Sequence, residues 1–302
     1  MKRKLISFNC AFFLLFGMLT GCTEVTATSL VNTLTFDTGD FASLRLDYDA
    51  DDIIVLESAD HNVMVKEYMN VNKKSYYAKT FMQNGELLIT EGNRPRRSNF
   101  KSYIEVYIPK NYTDDLSLHS TSGTVTSKIP LNLSGIFRID TTSGMVEVSN
   151  TKASTVKAVS TNGMITIENM NAKEVNIQTT NAKTSMKQIT GTISYQSKGG
   201  TLTATDLYGS GSFHASGNGS IDITFADVSS DILAYAKNGT LKVTLPGQLN
   251  FKFSAVTKNG SIDTSFPDQL VITDDTAAGD VGASADITVE LETRNGDIKV
   301  FR

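Results

Sequence analysis

Ser216-Gly217-Asn218-Gly219-Ser220-Ile221-Asp222-Ile223 and, one period later, Ala236-Lys237-Asn238-Gly239-Thr240-Leu241-Lys242-Val243 decide the fold. Each begins with a small residue, passes through Asn-Gly, and continues with apolar residues at alternate positions. The same phrase runs backwards through Ser197-Lys198-Gly199-Gly200, Thr179-Thr180-Asn181-Ala182, Ser160-Thr161-Asn162-Gly163, Thr141-Thr142-Ser143-Gly144 and Ser120-Thr121-Ser122-Gly123. It runs forwards through Thr257-Lys258-Asn259-Gly260 and Thr293-Arg294-Asn295-Gly296. Copies recur every roughly 18–21 residues, except that the last gap is about twice as long. A fixed period of this size signals stacked repeats, each burying its apolar face only against its neighbours.

Within each unit a short strand follows the Gly, as in Val146/Val148, Ile165/Ile167, Leu241/Val243/Leu245 and Ile298/Val300. A second strand precedes the next copy, as in Val156/Ala158, Val175/Ile177, Phe213/Ala215 and Phe251/Phe253. Period-two alternation with Thr, Ser, Val and Ile predicts strands, and no helical spacing competes with it. The fold class expected is all-β: a single-chain β-solenoid of roughly 20-residue repeats behind an irregular N-terminal β region. Gly123, Gly144, Asn162, Gly163, Asn218, Gly219, Asn238, Gly239, Asn259, Gly260, Asn295 and Gly296 are read as structural corners. Asn and Gly adopt positive φ most cheaply, so the corners are expected to use it. Stacked Asn side chains would also line up as a hydrogen-bonded ladder.

Working outward, residues 116–302 hold the repeats and residues 34–115 an N-terminal strand region. In that region turn clusters such as Asp49-Ala50-Asp51-Asp52 and Asn84-Gly85 separate alternating runs. Pro109 ends the strand Tyr103–Ile108. Between strands, 91–101 reads as an exposed loop carrying Arg94, Arg96 and Arg97. The stretch 264–285, rich in Asp, Gly and Pro, reads as an inserted loop or hairpin that explains the doubled last gap.

The N-terminus is a processing signal. Met1-Lys2-Arg3-Lys4 is a positive n-region, Leu5 to Met18 is largely apolar, and Leu19-Thr20-Gly21-Cys22 follows. That phrase resembles the lipobox of bacterial lipoproteins. The resemblance implies that residues 1–21 are removed, that Cys22 carries the lipid, and that 22–33 is a tether. Lipid chains of this kind give stable anchoring when two or more are present. The expected place is the extracytoplasmic face of a cell membrane, the outer membrane if the source is Gram-negative.

Cys10 and Cys22 are the only cysteines, so the folded part has no thiol for a disulfide, a thiolate metal site or a nucleophile. Losing Lys2, Arg3 and Lys4 takes the formal net charge from −4 to −7. That argues against nucleic acid as a partner. Asp47, Asp49 and Asp51 have EF-hand spacing, but Asp52 and Ser58 stand where Gly and Glu are needed. Asp274, Asp275 and Asp280 read as solvated loop charge. His61, His119 and His214 lack metal-ligand spacing, and no G-x-S-x-G elbow occurs. No metal, cofactor or catalytic residue is expected.

One pattern is left over. Lys198, Lys237, Lys258 and Arg294 precede the Asn or Gly of four late repeats and would form a basic column on one corner of an acidic protein. The plain reading is a solvated edge that deters further pairing. The functional one, shared with Arg94, Arg96 and Arg97, is contact with an anionic glycan, teichoic-type polymer or phospholipid.

The order of lipobox, short strands, the strand-Pro phrase Val106-Tyr107-Ile108-Pro109 and repeated Ser-Gly or Asn-Gly coils resembles the toastrack-like ("putative adhesin") domain family of bacterial envelope proteins. The resemblance spans about Leu34 to Arg302. It implies a β-solenoid outside the membrane, often linked with envelope-stress signalling, and brings no catalytic residues. The expected function is a lipid-anchored, non-enzymatic binding or scaffold protein, an adhesin or an accessory sensor, whose partner is an envelope polymer or protein. The alternative is a carbohydrate-active β-helix enzyme acting on envelope or extracellular polysaccharide. A solute-binding lipoprotein is disfavoured, because alternating βα patterns are missing.

Overall fold

A computed structural model describes residues 27–97 and 99–302. Among these residues, 23 strands join in one continuous hydrogen-bonded network that is not closed on itself. The repeats lie across it as rungs. Val146–Ser160, Met164–Thr179, Lys183–Ser197, Leu202–Ala215 and Ile221–Ala236 stack in parallel, each in register with the next over most of its length.

Burial shows how one rung is bent. In Val146–Ser160 the buried positions are 146 and 148, then 151 and 153, then 156, 158 and 160. Alternation within a strand holds inward residues two apart, so each three-residue step marks a bend. A rung therefore has three sides: one after the Asn-Gly corner, a short one, and a long one leading to the next corner. The first bend falls on Asn150, Asn169, Gln188 and Asp206, which have φ of +58°, +51°, +55° for Asp206 and +54° for Gln188.

The inward side chains form one core running from Phe41 to Val300. Val and Ile dominate it because branched side chains fill a pleated interior in few rotamers. The N-terminal region continues the same walls. Ser43–Tyr48 pairs with Asp115–Ser120 on the long side, and Asp52–Glu57 with Val125–Ser127 on the first side. Ser102–Ile108, Asn62–Met69 and Ser29–Asp37 extend the first side, the last two antiparallel. The hairpin Lys79–Gln83 with Glu86–Thr90 extends the long side, turning at Asn84 and Gly85 with φ of +52° and +78°.

At the other end the chain leaves sequence order. Ile287–Asn295 pairs with both Ile221–Ala236 and Phe251–Asn259, so the last repeat lies between its two predecessors. Ile298–Phe301 likewise sits between Leu241–Thr244 and Ile262–Thr264. The 264–285 stretch supplies Thr276–Val281, antiparallel on Phe251–Asn259, and a short edge strand Val271–Ile272. Phe266 is buried against Phe251 and Phe253 and covers that end of the core.

Candidate functional site

The Asn-Gly corners stack into one ridge, and the structure shows why its residue types recur. In four copies the leading Ser or Thr is buried and its hydroxyl accepts a hydrogen bond from the Gly amide three residues on, whereas Thr257 and Thr293 donate to the carbonyls of Gly296 and Gly239. The distances are 3.0 Å for Ser120–Gly123, 2.8 Å for Thr141–Gly144, 3.1 Å for Ser160–Gly163 and 2.7 Å for Ser197–Gly200. The Asn amides form a ladder: Asn181 donates to Asn162 at 3.1 Å, Asn238 to Asn218 at 2.9 Å, Asn295 to Asn238 at 2.6 Å and Asn259 to Asn295 at 2.8 Å.

The expected positive φ is not found here. None of the ridge's Asn or Gly residues adopts it. Glycine predominates because rungs touch, Ala182 being the one copy with a methyl group at that place: a Cβ on Gly163 would overlap the carbonyl oxygen of Gly144, and one on Gly239 that of Gly219. Positive φ belongs to the bend after the first side, where Asn169 also donates to Asn150 at 2.7 Å, and to Gly191 and Gly209 at the following bend. The signal for that second corner was the spacing of Asn150 and Asn169, matched later only by Gln188 and Asp206.

Backbone bonds give the order of rungs along the ridge. Gly217 O accepts from Asn238, Lys237 O from Asn295, and Asn259 O from Gly296. Lys237, Arg294 and Lys258 thus occupy three consecutive rungs, about 4.8 Å apart in the pairing direction. Lys198 stands two rungs before Lys237, with Gly217 between. All four are exposed. Round the adjoining edge, the long side carries a shallow groove of about 360 Å³ lined by Arg138, Lys157, Asn176, Gln178, Ser194 and Gln196.

The three arginines of the 91–101 stretch part company. Arg96 is exposed and pairs with Asp49 at 2.6 Å, and Arg97 is exposed. Arg94 is not on the surface: its side chain is 3% exposed, with Nη1 on Asp51 and Nη2 on Glu67. Its Nε donates to Tyr76 O at 3.1 Å, and its guanidinium lies 5.3 Å from the Tyr48 ring centre. Glu67, fully buried, also accepts from the Ala78 amide at 2.9 Å and from Asn32 at 2.7 Å. Glu91 accepts from the Asp49 amide at 2.9 Å.

One guanidinium therefore faces three carboxyls. Burial raises the pKa of Asp51 above the ordinary carboxylate range, against the opposing pull of Arg94. Burial likewise raises Glu91, with the Asp51 charge adding to it. Asp51 Oδ1 is buried, with the Ser102 and Glu91 side chains facing it. This cluster clasps two loops to the end of the solenoid. Sequence reasoning missed it because Arg94 lies 43 residues from Asp51 and 27 from Glu67.

Cys22 and the signal segment lie outside the described residues. Asp274, Asp275 and Asp280 are exposed in the end hairpin. Among the described residues no group of three or more His, Cys, Asp or Glu is placed to hold a metal, and no helix is long and apolar enough to cross a membrane.

A bent parallel rung, repeated behind a Ser/Thr-capped Gly corner, defines a solenoid domain, and the family model that matches residues 41–301 is Toastrack DUF4097. The chain belongs to that family. Among solved structures it is similar to a putative adhesin from Bacteroides fragilis NCTC 9343, with 16% identity, 89% of this chain and 96% of that one covered, and a TM-score of 0.45. A putative adhesin from Parabacteroides distasonis ATCC 8503 shows 12% identity, coverage of 89% and 96%, and a TM-score of 0.41. A putative cell adhesion protein from Clostridium sporogenes ATCC 15579 shows 10% identity, coverage of 89% and 97%, and a TM-score of 0.24. No curated protein matches the chain.

Proposed function

We propose that the protein is a lipid-anchored, extracytoplasmic, non-enzymatic scaffold whose ridge binds an anionic polymer of the cell envelope. The observation that carries this is the run of Lys237, Arg294 and Lys258 on consecutive exposed rungs of an otherwise acidic chain. A regular row of cations on a rigid edge suits a polyanion, whose charges also repeat along a line. The lipobox at Leu19-Thr20-Gly21-Cys22 supports the anchor, and membership of the Toastrack family fits a surface-presenting role. Adhesion and accessory sensing in envelope-stress signalling are two uses of such a surface.

The test is retention of teichoic-type or acidic glycan polymers by the protein, wild type against Lys237→Glu/Lys258→Glu. Binding should fall at least tenfold and weaken with salt. Equal binding by the variant sinks the ridge assignment. Incubation with the same polymers, followed by assay of reducing ends or unsaturated products, tests the non-enzymatic part. Turnover that is lost when a carboxylate is replaced overturns it in favour of a polysaccharide-acting enzyme.

A further inference from the structure

The loops that cover one end of the solenoid are basic, whereas the hairpin stretch at the other end is acidic. Residues 70–101 at one end contain seven basic residues (Lys73, Lys74, Lys79, Arg94, Arg96, Arg97 and Lys101) against Glu86 and Glu91. Arg94 is internal, and the other six basic residues are exposed. Residues 260–286 at the far end contain six aspartates and no basic residue, although Lys252 stands opposite Asp280 and Arg302 lies over the Phe266 ring beside them.

The basic end also exposes apolar side chains. Leu30 is 49% exposed, Val71 37%, and Phe81 and Met82 52% each. Phe81 and Met82 belong to Lys79–Gln83, an edge strand with every residue exposed. Val71 follows Asn70, whose amide donates to Lys101 O at 3.0 Å. Leu30 stands opposite Tyr68 at the start of the first strand. The Arg94 clasp and the bond from Asn93 N to Ser75 O, 2.8 Å, stitch the 70–78 and 91–101 loops together, so the end is preformed.

The N-terminal segment emerges at this same end. Ser29 pairs with Met69 on the outermost strand of the first side, and Cys22 precedes it by so few residues that the link spans roughly 25 Å at full extension. A lipid on Cys22 would hold this end against the bilayer.

We propose that the basic end is a foot that seats on an anionic phospholipid surface, Lys73, Lys74, Lys79, Arg97 and Lys101 meeting lipid phosphates while Phe81, Met82, Val71 and Leu30 enter the headgroup layer. The foot rests on the anchor reading for its biological setting, but its affinity for lipid does not need the anchor. Clustered basic residues beside apolar ones are what an anionic interface attracts. A second copy docking its acidic end on the foot is the competing occupant. It would have to fit into the gap that the short tether leaves.

Among the described residues every strand lies between 29 and 301, so a chain beginning at Thr23 keeps all of them without the lipid. Its co-sedimentation is measured with vesicles of phosphatidylcholine alone and of phosphatidylcholine with phosphatidylglycerol. Binding is expected only to the anionic vesicles. Lys73→Glu/Lys74→Glu should lower it at least ~tenfold, Phe81→Ser/Met82→Ser should lower it without changing its salt dependence, and Lys237→Glu/Lys258→Glu should leave it unchanged. No binding, equal binding to both vesicle types, or an equal loss in the ridge variant overturns the foot. So does vesicle-independent self-association, growing with concentration and abolished by Val271→Lys, which assigns the end to a second copy. Palmitate labelling of the full chain against Cys22→Ala tests the anchor separately. An unlabelled chain that still binds through Lys73 and Lys74 removes the anchor and keeps the foot.

Discussion

Two of the three corners of a rung are built from the same residue type for different reasons. At the Asn-Gly ridge the backbone is ordinary and the constraint is between rungs: glycine is there because a neighbouring carbonyl occupies the space of a side chain. At the bend after the first side the constraint lies within a rung, because the chain must pass through the left-handed region at Asn150, Asn169, Gln188 and Asp206. Both corners stack Asn on Asn. Only at the second does Asn stand in for Gly, since its short polar side chain tolerates that backbone better than most. A repeated Asn therefore does not reveal which demand it answers, but substitution by glycine does.

The largest effect is expected at the crowded corner. Gly163→Ala should destabilise the fold by about 3 kcal/mol in urea melts, because two rungs must part to admit a methyl group. Gly247→Ala, with open space around it, should change stability by less than about 0.5 kcal/mol. A small loss at Gly163 would break the steric account of the ridge. Next comes the left-handed corner: Asn169→Val should cost about 2 kcal/mol, whereas Asn169→Gly should recover most of it. Smaller still, Asn238→Ala should lose about 1 kcal/mol through the bonds to Asn218 and Asn295. Asn238→Gly should lose at least as much. Rescue by glycine at position 238 would erase the distinction between the corners.

The smallest effect concerns the first corner of the stack, where Asp49, Ala50 and Asp51 replace Asn-Gly and the Arg94 clasp replaces the ladder. Asp51 and Glu91 bind protons more tightly folded than unfolded, since burial raises both. The stability this confers is fully present below the unfolded pKa values and is lost as pH rises through the folded ones. The wild-type urea midpoint should therefore fall relative to that of Glu91→Gln as pH climbs above about 4. A wild-type midpoint that rises relative to the variant's over the same range would contradict the buried-proton reading.

Much of this architecture can be read from the chain because its period is local. Gly123 to Gly163 announce the rungs, and Val146, Val148, Val156 and Ala158 announce which face is inside. The reason for the glycines is not legible, since crowding by a carbonyl from another rung is a contact between residues about 20 positions apart. The second corner fades after Asn169 because left-handed φ is a backbone demand that Gln188 and Asp206 can also meet. Lys237, Arg294 and Lys258 could be suspected as a column, but not as Lys237–Arg294–Lys258 in that order. Arg94 was misplaced because a charged residue in a Pro-containing polar stretch reads as solvated until its distant carboxyls are known.

The placement of the last repeat gives the molecule a test of completeness. Ile287–Asn295 and Ile298–Phe301 lie inside the stack, not at its end. A chain interrupted before them lacks an interior rung, leaving Ile232–Ala236 and Phe251–Thr257 without the strand that both require. The earlier rungs can stack as they emerge, but the far end cannot settle until these two strands arrive. Ile287–Asn295 thus acts as a keystone: a chain that contains it joins the rungs on either side, and one cut before it presents open β edges.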